Sequence, residues 1–358
     1  MKKKYYIFIA LISIAILYSF PFHINATPKN NPVVIAYVTS RNHILPDQEV
    51  ITHINYAFGQ VNESFNGINI DNEKRLRTIV GLKKKKPTLK VLLSVGGWGS
   101  GRFSEMAASS ELRKAFAADC KRIIHEYNLD GIDIDWEYPT SRAAGISASP
   151  EDTRNYTLMM KAIRKAIGKK KLLTLASVAS GDYIDFAAIE PYVDFVNIMV
   201  YDIARPPYHH APLFRSDLTQ GITCVEAVEA HVKAGMPAHR LVLGMPFYGH
   251  GKHGLPDFVD YKDIVKLIAD GVYTRQWDAQ AQVPYLTDKD GKMVCTYEDA
   301  ESIAGKCRLI REKGMLGGMY WEYDGDDAQG TLRKAVYEGI ISKAKGGYCN
   351  RHTSLMNN

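Results

Sequence analysis

Four carboxylates fall within eight residues in the segment Leu129-Asp130-Gly131-Ile132-Asp133-Ile134-Asp135-Trp136-Glu137-Tyr138-Pro139. An extended strand turns successive side chains to opposite faces, so Asp133, Asp135 and Glu137 share one face while Ile132, Ile134 and Trp136 take the other. Crowded like charges raise the pKa of at least one member, and a carboxylic acid kept protonated near neutral pH can serve as a general acid. Glu137, last in the column and longest in side chain, is the natural proton donor. A cation site is the competing use of such acids, but oxygen-ligand calcium loops use glycine-bearing turns rather than strand alternation. Asp130 lies off the inward phase, where a structural place near the strand start fits it better than catalysis.

The elements that must hold this column are legible along the chain. Eight short runs rich in β-branched and aliphatic residues recur: Val33 to Val38, His53 to Phe58, Lys90 to Val95, Gly131 to Glu137, Lys171 to Val178, Phe195 to Tyr201, Leu241 to Phe247 and Met315 to Trp321. Several are nearly continuous apolar runs, as expected of parallel strands buried on both faces. Amphipathic segments separate most of them, among them Glu111 to Tyr127 and Thr153 to Ile167, the latter with Asp152 or Thr153 as its N-cap. Eight alternations of strand and helix predict an α/β fold of the (β/α)8 TIM-barrel type. A barrel interior normally packs Val, Ile and Leu, and carboxylates buried there without partners are costly, so the acidic column belongs to chemistry rather than to packing.

Strand starts are spaced by roughly 20 to 47 residues until the last pair, which is about 75 apart, more than a crossover helix needs. A small α+β insertion between strands 7 and 8, at about 250–310, accounts for the excess. Within it Asp257 to Ala269 reads as a helix, and Tyr273 to Trp277, Val283 to Leu286 and Lys292 to Tyr297 read as strands, the last two joined across Asp290-Gly291. No linker or repeat marks a second independent domain. The expected organisation is a leader at 1–26, a barrel at 27–346 and a polar tail at 347–358.

The 358 residues are 46% hydrophobic and 23% charged, a globular composition that excludes a disordered or collagen-like chain and a disulfide miniprotein. Lys2, Lys3 and Lys4 precede an apolar stretch from Tyr5 to Phe20, which reads as a secretory signal peptide and predicts a secreted or periplasmic enzyme. Residues 1–26 carry three lysines and no acid, so the formal charge falls from +6 to +3 without them. That balance offers nothing to nucleic acid, and no membrane insertion is expected beyond the leader. The five cysteines (Cys120, Cys224, Cys295, Cys307, Cys349) lack the paired spacing of a zinc site, although the spacing of Cys295 and Cys307 permits a bridge. Cys120 falls on the helical stripe of Leu112, Phe116, Ile123 and Tyr127 and reads as a small core residue. His209-His210 sits in a proline-rich loop, where adjacent histidines read as solvated or substrate-lining. No metal and no cofactor is expected, and the chain reads as a monomer.

Asp-Gly-Ile-Asp-Ile-Asp-Trp-Glu-Tyr-Pro resembles the active-site signature of glycoside hydrolase family 18, the chitinase family. The resemblance extends over Val33 to about Asp327: Ser94-Val95-Gly96-Gly97-Trp98 is similar to the third-strand motif, Met199-Val200-Tyr201-Asp202 to the sixth, Met245-Pro246-Phe247-Tyr248-Gly249 to the seventh and Gly317-Gly318-Met319-Tyr320-Trp321-Glu322 to the eighth. Tyr37 and Phe58 match aromatic positions on the first two strands, and Val283-Pro284-Tyr285-Leu286 resembles the chitinase branch.

The resemblance implies hydrolysis of β-1,4-linked N-acetylglucosamine with retention, the substrate's own acetamido group acting as nucleophile. Glu137 would protonate the leaving oxygen and then activate water. Asp135 would hold the acetamido N–H and share a proton with Asp133, and Tyr201 would hold the acetamido carbonyl. Trp321 would floor the distorted sugar, with Tyr37, Phe58, Gly96, Gly97, Trp98, Met199, Asp202 and Tyr248 as further substrate contacts; the glycines would let the chain approach carbohydrate closely. Chitin or chito-oligosaccharide is the implied ligand. Three departures stand out: Arg41 soon after the first strand where Trp is frequent, Ile203-Ala204 after Tyr-Asp where Gly and Trp are common, and His250 where many members place Arg. The acidic column equally fits an endo-β-N-acetylglucosaminidase acting on N-glycan cores, whereas a lectin on the same scaffold would be expected to lack the acid.

Overall fold

The computed structural model describes residues 31–41 and 44–342. The proposed leader at 1–26 and the polar tail at 347–358 lie outside the described residues. Fourteen strands occur among the described residues: β1 (Val33–Thr39), β2 (His53–Val61), β3 (Ile68–Ile70), β4 (Lys90–Gly96), β5 (Gly131–Asp135), β6 (Leu172–Val178), β7 (Phe195–Met199), β8 (Leu241–Pro246), β9 (Tyr248–Gly251), β10 (Phe258–Asp260), β11 (Thr274–Asp278), β12 (Val283–Thr287), β13 (Met293–Thr296) and β14 (Gly317–Trp321). Eight of them, in the order β1-β14-β8-β7-β6-β5-β4-β2, form parallel pairs, and β1 pairs with β2 to close the barrel. These are the eight runs expected from the sequence, with the strand ends trimmed or extended by one or two residues in most cases and by three at β2.

Two apolar layers hold the barrel together. Outside the strands, Ile132 and Ile134 of β5 and their counterparts pack beneath helices that include α1 (Glu73–Gly81), α2 (Phe103–Ala108), α3 (Ser110–Glu126), α4 (Asp152–Ile167), α5 (Phe186–Ile189) and α6 (Cys224–Lys233). Cys120 is wholly buried in this layer, as its helical stripe predicts, and Trp136 stacks on Phe103 at 5.3 Å between ring centroids. Inside, Val33, Ile35, Phe195, Val242, Leu316 and Met319 plug the barrel, with Tyr37, Phe58, Met199, Tyr201 and Trp321 above them. The inner plug gives way to polar side chains at mid-height, which is where the acidic column begins.

The insertion is an antiparallel sheet in the order β10-β9-β13-β12-β11, with helix α7 (Tyr261–Ala269) between β10 and β11. The three strands expected from the sequence are present, but the helix expected over Asp257 to Ala269 begins only at Tyr261, because Phe258–Asp260 is drawn into the sheet as β10 beside β9. The sheet also contains β9 and β10, which sequence patterning does not predict: β9 is a short Tyr-Gly-His-Gly run separated from β8 by a single residue, Phe247. Helix α8 (Ala300–Glu312) is the crossover into β14 rather than part of the insertion, and α9 (Thr331–Tyr337) follows the last barrel strand. Cys295 is a buried free thiol, so the bridge to Cys307 is not formed. Among the described residues no helix is long and apolar enough to cross a membrane.

Asp152 does not cap α4 as expected. It is the helix's first residue, wholly buried, and its carboxylate accepts from Ser104 Oγ (2.8 Å), Ser149 N (2.7 Å) and Thr140 N (3.3 Å). It thereby ties down the loop that follows Glu137.

Candidate active site

Strand β5 delivers the acidic column in the predicted phase. Register pairs Ser94 of β4 with Asp133 and Asp133 with Thr174 of β6, so the three side chains form one layer across adjacent strands. Asp133 is wholly buried, and all its hydrogen bonds come from barrel strands. Oδ2 accepts from Tyr37 Oη (2.8 Å) and Ser94 Oγ (2.9 Å), and Oδ1 from Thr174 Oγ1 (2.5 Å) and Asn197 Nδ2 (3.2 Å). Burial raises its pKa, opposed by those four donors. The expected proton shared with Asp135 is not expressed as a hydrogen bond: both oxygens of Asp133 are occupied, and Oδ1 of Asp135 is buried with no hydrogen-bond partner.

Asp135 is 4% exposed and its pKa stands well above the usual carboxylate range, because it is buried and faces the charges of Glu137 and Asp133. Glu137 lies just beyond the end of β5, half-buried, where burial pushes its carboxyl up to about 7; a hydrogen bond with Tyr138 opposes the rise and the charge of Asp202 adds to it. A group with that value is protonated in useful amount near neutrality and can also take the proton back. Tyr201 follows β7, and its hydroxyl is held protonated by burial and by Asp135, Asp202 and Glu137.

These groups line one cleft of about 780 Å³ together with Tyr37, Phe58, Trp98, Met199, Asp202, Tyr248 and Trp321. Trp321 is half-buried, stacked on Phe58 at 5.6 Å and tilted against Tyr37 at 5.7 Å, so aromatic contacts fix the plane of the indole. Trp98 is 64% exposed, a large apolar surface left open at the rim beside Tyr138. Asp202 Oδ1 accepts from Tyr248 Oη at 2.6 Å and lies 2.6 Å from His250 Nε2.

Gly96 and Gly97 each face a close contact within the protein itself. A Cβ on Gly96, which has φ +128°, would lie 1.9 Å from the carbonyl oxygen of Asp135, and one on Gly97 would lie 2.7 Å from the Phe58 ring. The close approach that demands glycine is therefore to Asp135 and Phe58, which these residues position, although both glycines line a smaller adjoining cavity. His209 and His210 are not solvated. Both are wholly buried, His209 bonding Asp278 of β11 through Nε2 at 3.0 Å. Asp130 is structural as expected, paired with Lys83 at 2.6 Å and Lys90 at 3.4 Å.

Sequence reasoning missed the polar layer around Asp133, namely Ser94, Thr174 and Asn197. Its signal is faint: one small polar residue mid-strand in each of three mostly apolar strands. Tyr138, Arg205, Asp257 and Phe258 of the cleft wall were missed as well. The peptide bonds Ala57–Phe58, Glu137–Tyr138 and Trp321–Glu322 are cis.

With its proton donor set at a barrel mouth beside an indole that suits the apolar face of a pyranose, the molecule is a glycoside hydrolase of the (β/α)8 class. The family model for glycosyl hydrolases family 18 matches residues 33–326, and the chain belongs to that family. It is 33% identical over 390 aligned positions to Chitinase A1 of Niallia circulans, the match covering 82% of this chain and 56% of that protein. Among solved structures, a family 18 N-acetylglucosaminidase from Paenibacillus barengoltzii is 34% identical with a TM-score of 0.78, covering 87% of this chain and all of that one. The cell-surface chitinase ChiW of a Paenibacillus strain is 29% identical with a TM-score of 0.80, covering 87% of this chain and 43% of that one.

Proposed function

We propose that this enzyme hydrolyses β-1,4 linkages between N-acetylglucosamine units, with retention, outside the cytoplasm. The observation that carries the proposal is the pairing of a wholly buried, unpartnered Asp135 Oδ1 with a Glu137 carboxyl raised to about 7. An acceptor left vacant in a buried site costs stability unless a ligand fills it, and an acetamido N–H supplies the missing donor. Glu137 protonates the glycosidic oxygen; the acetamido carbonyl oxygen attacks the anomeric carbon as that bond breaks, giving an oxazolinium ion; Glu137 then removes a proton from the water that opens it. Asp135 orients the acetamido group and balances its developing positive charge, and Tyr201 holds the carbonyl oxygen. Tryptophan at the cleft is confined to Trp98 and Trp321, which supports a preference for soluble chito-oligosaccharides over crystalline chitin. The lysine-led apolar stretch at the N-terminus supports export.

A second reading, release of single N-acetylglucosamine units, is favoured by the likeness to the Paenibacillus barengoltzii N-acetylglucosaminidase along that protein's whole length. The deciding experiment incubates the mature chain with N-acetylglucosamine hexamer and with a high-mannose glycoprotein, with Glu137→Gln as control, and identifies products by mass spectrometry. Dimers and trimers from the hexamer support the chitinase, and monomer from the first time point supports the exo-acting enzyme. Glycan release with an inert hexamer overturns both in favour of action on N-glycan cores, and inertness on both substrates favours a lectin.

A further inference from the structure

Beside the catalytic acid, three residues from separate parts of the chain converge on one point at the cleft wall. Asp202 follows β7, His210 lies eight residues further in the same loop, and His250 is on β9. One ligand atom from each lies within 4.8 Å of the others. From sequence the adjacent pair His209-His210 reads as solvated or substrate-lining rather than as metal ligands, and in the structure the two rings point apart, with His209 turned to Asp278 and His210 turned to His250, whose ring centroid is 4.9 Å away.

His210 is the unexplained member. It is wholly buried and neither ring nitrogen has a hydrogen-bond partner. Buried polar groups are otherwise almost always paired, so two vacant nitrogens on one imidazole call for a missing partner. The backbone does not let the ring escape: His210 N donates to Thr296 Oγ1 of β13 at 3.2 Å, and His210 O accepts from Ile203 N at 3.1 Å.

His250 carries the support expected of a metal-binding imidazole. Its Nδ1 faces the backbone carbonyl and the Oδ1 of Asp257, each at 2.9 Å, and Asp257 is in turn gripped by Arg205 Nε at 2.6 Å. An ion on Nε2, which already points at Asp202, would leave the ring proton on Nδ1 against Asp257. Asp202 is exposed and lines the cleft, which gives an ion a path in from solvent.

We propose that His210, His250 and Asp202 form a binding site for a divalent transition cation of the zinc class, and that its occupation inhibits the enzyme. Two imidazoles and one carboxylate suit such an ion, and the side of Asp202 open to the cleft leaves a fourth position for water. The bound ion takes the Asp202 oxygen away from Tyr248 and His250 and sets a double positive charge beside the sugar site, where Glu137 must hold its proton. The inhibitory part rests on the proposed hydrolytic function; the site itself does not.

The test uses the mature chain with any affinity tag removed and the protein dialysed against chelator. Zn²⁺ binding is followed by calorimetry, and Co²⁺ binding by its visible absorption. The proposal expects one ion per chain, a tetrahedral Co²⁺ spectrum, and at least a 100-fold loss of affinity in both His210→Phe and His250→Gln. In His210→Phe, basal hydrolysis of chito-oligosaccharide persists, whereas saturating Zn²⁺ lowers wild-type turnover at least tenfold and the variant's less than twofold. If His210→Phe melts early, His210→Gln replaces it. No Zn²⁺ binding by the wild type, or undiminished binding by the variants, overturns the site. Zn²⁺ bound at this site with turnover unchanged overturns the inhibition. Because binding is read without substrate, a chain inert on chito-oligosaccharide still shows whether the site takes the ion.

Discussion

Tyr37 and Asp133 lie 96 residues apart in sequence, and the Tyr37 hydroxyl donates to Asp133 Oδ2 at 2.8 Å across the barrel. The phenol rises from β1 and the carboxylate from β5, so the bond spans the interior and holds the base of the acidic column. Tyr37→Phe removes one of the donors that make a buried carboxylate tolerable, since a hydrogen bond to a charged group contributes about 1.5–3 kcal/mol. Urea unfolding is expected to show a loss of that size with an unchanged m-value. A loss below about 0.5 kcal/mol would mean that Ser94, Thr174 and Asn197 suffice alone.

Glu137→Gln is expected to lower turnover by at least about 100-fold, the scale of a positioned acid–base group, while chito-oligosaccharides still bind. In the wild type, kcat/KM falls as pH rises through about 7, because the free enzyme must carry the proton on Glu137. Retained turnover in the variant would move the proton donor elsewhere.

The same carboxyl couples stability to pH. Its value in the folded state is raised from 4.5 to about 7, so the native state holds the proton over a range where the unfolded chain has released it. That contribution is present below about 4.5 and is lost as pH rises through about 7. Glu137→Gln has no proton to lose there, and at pH 8 it is expected to be more stable than the wild type by on the order of 2 kcal/mol. Thermal melts at pH 5 and pH 8 read the difference, which should be confined to the higher pH.

The barrel strands, the phase of Asp133, Asp135 and Glu137, and the insertion helix and strands β11 to β13 are all legible in sequence, because each depends on local periodicity. What is not legible depends on partners far along the chain. Asn197 and Thr174 are isolated polar residues in mostly apolar strands, and only closure of the barrel brings them to Asp133. Asp152 looks like a helix cap, but its carboxylate is drawn away by Ser104, Ser149 and Thr140. Gly96 looks like a concession to carbohydrate until the carbonyl of Asp135 is seen against it.

Glycine positions provide a matched pair. Gly96→Ala would place a methyl 1.9 Å from the Asp135 carbonyl oxygen at a φ of +128°, so no small shift relieves it. A loss above about 4 kcal/mol, or no soluble protein, is expected. Gly81, at the end of α1, has right-handed helical backbone, and a methyl added there would meet nothing within 4 Å, so Gly81→Ala is expected to stabilise by about 0.5–1 kcal/mol. Circular-dichroism melts of both variants check the contrast.

Lys306 and Glu298 form a wholly buried ion pair, the ammonium also donating to Ala211 O at 2.8 Å. Lys306→Met leaves a carboxylate without its cation and is expected to cost about 3–5 kcal/mol. Adding Glu298→Leu should recover at least half of that loss, a coupling that a double-mutant cycle measures directly.

Strand β8 ends at Pro246 and β9 begins at Tyr248, with Phe247 between them stacked on Tyr320 at a centroid distance of 4.2 Å. The insertion sheet is thus a prolongation of a barrel stave rather than a flap on a tether. For anyone redesigning this enzyme, that wall is masonry: its inner face can be resurfaced at the exposed Phe258, but excising it would pull Tyr248 and His250 away from Asp202 and dismantle the site with it.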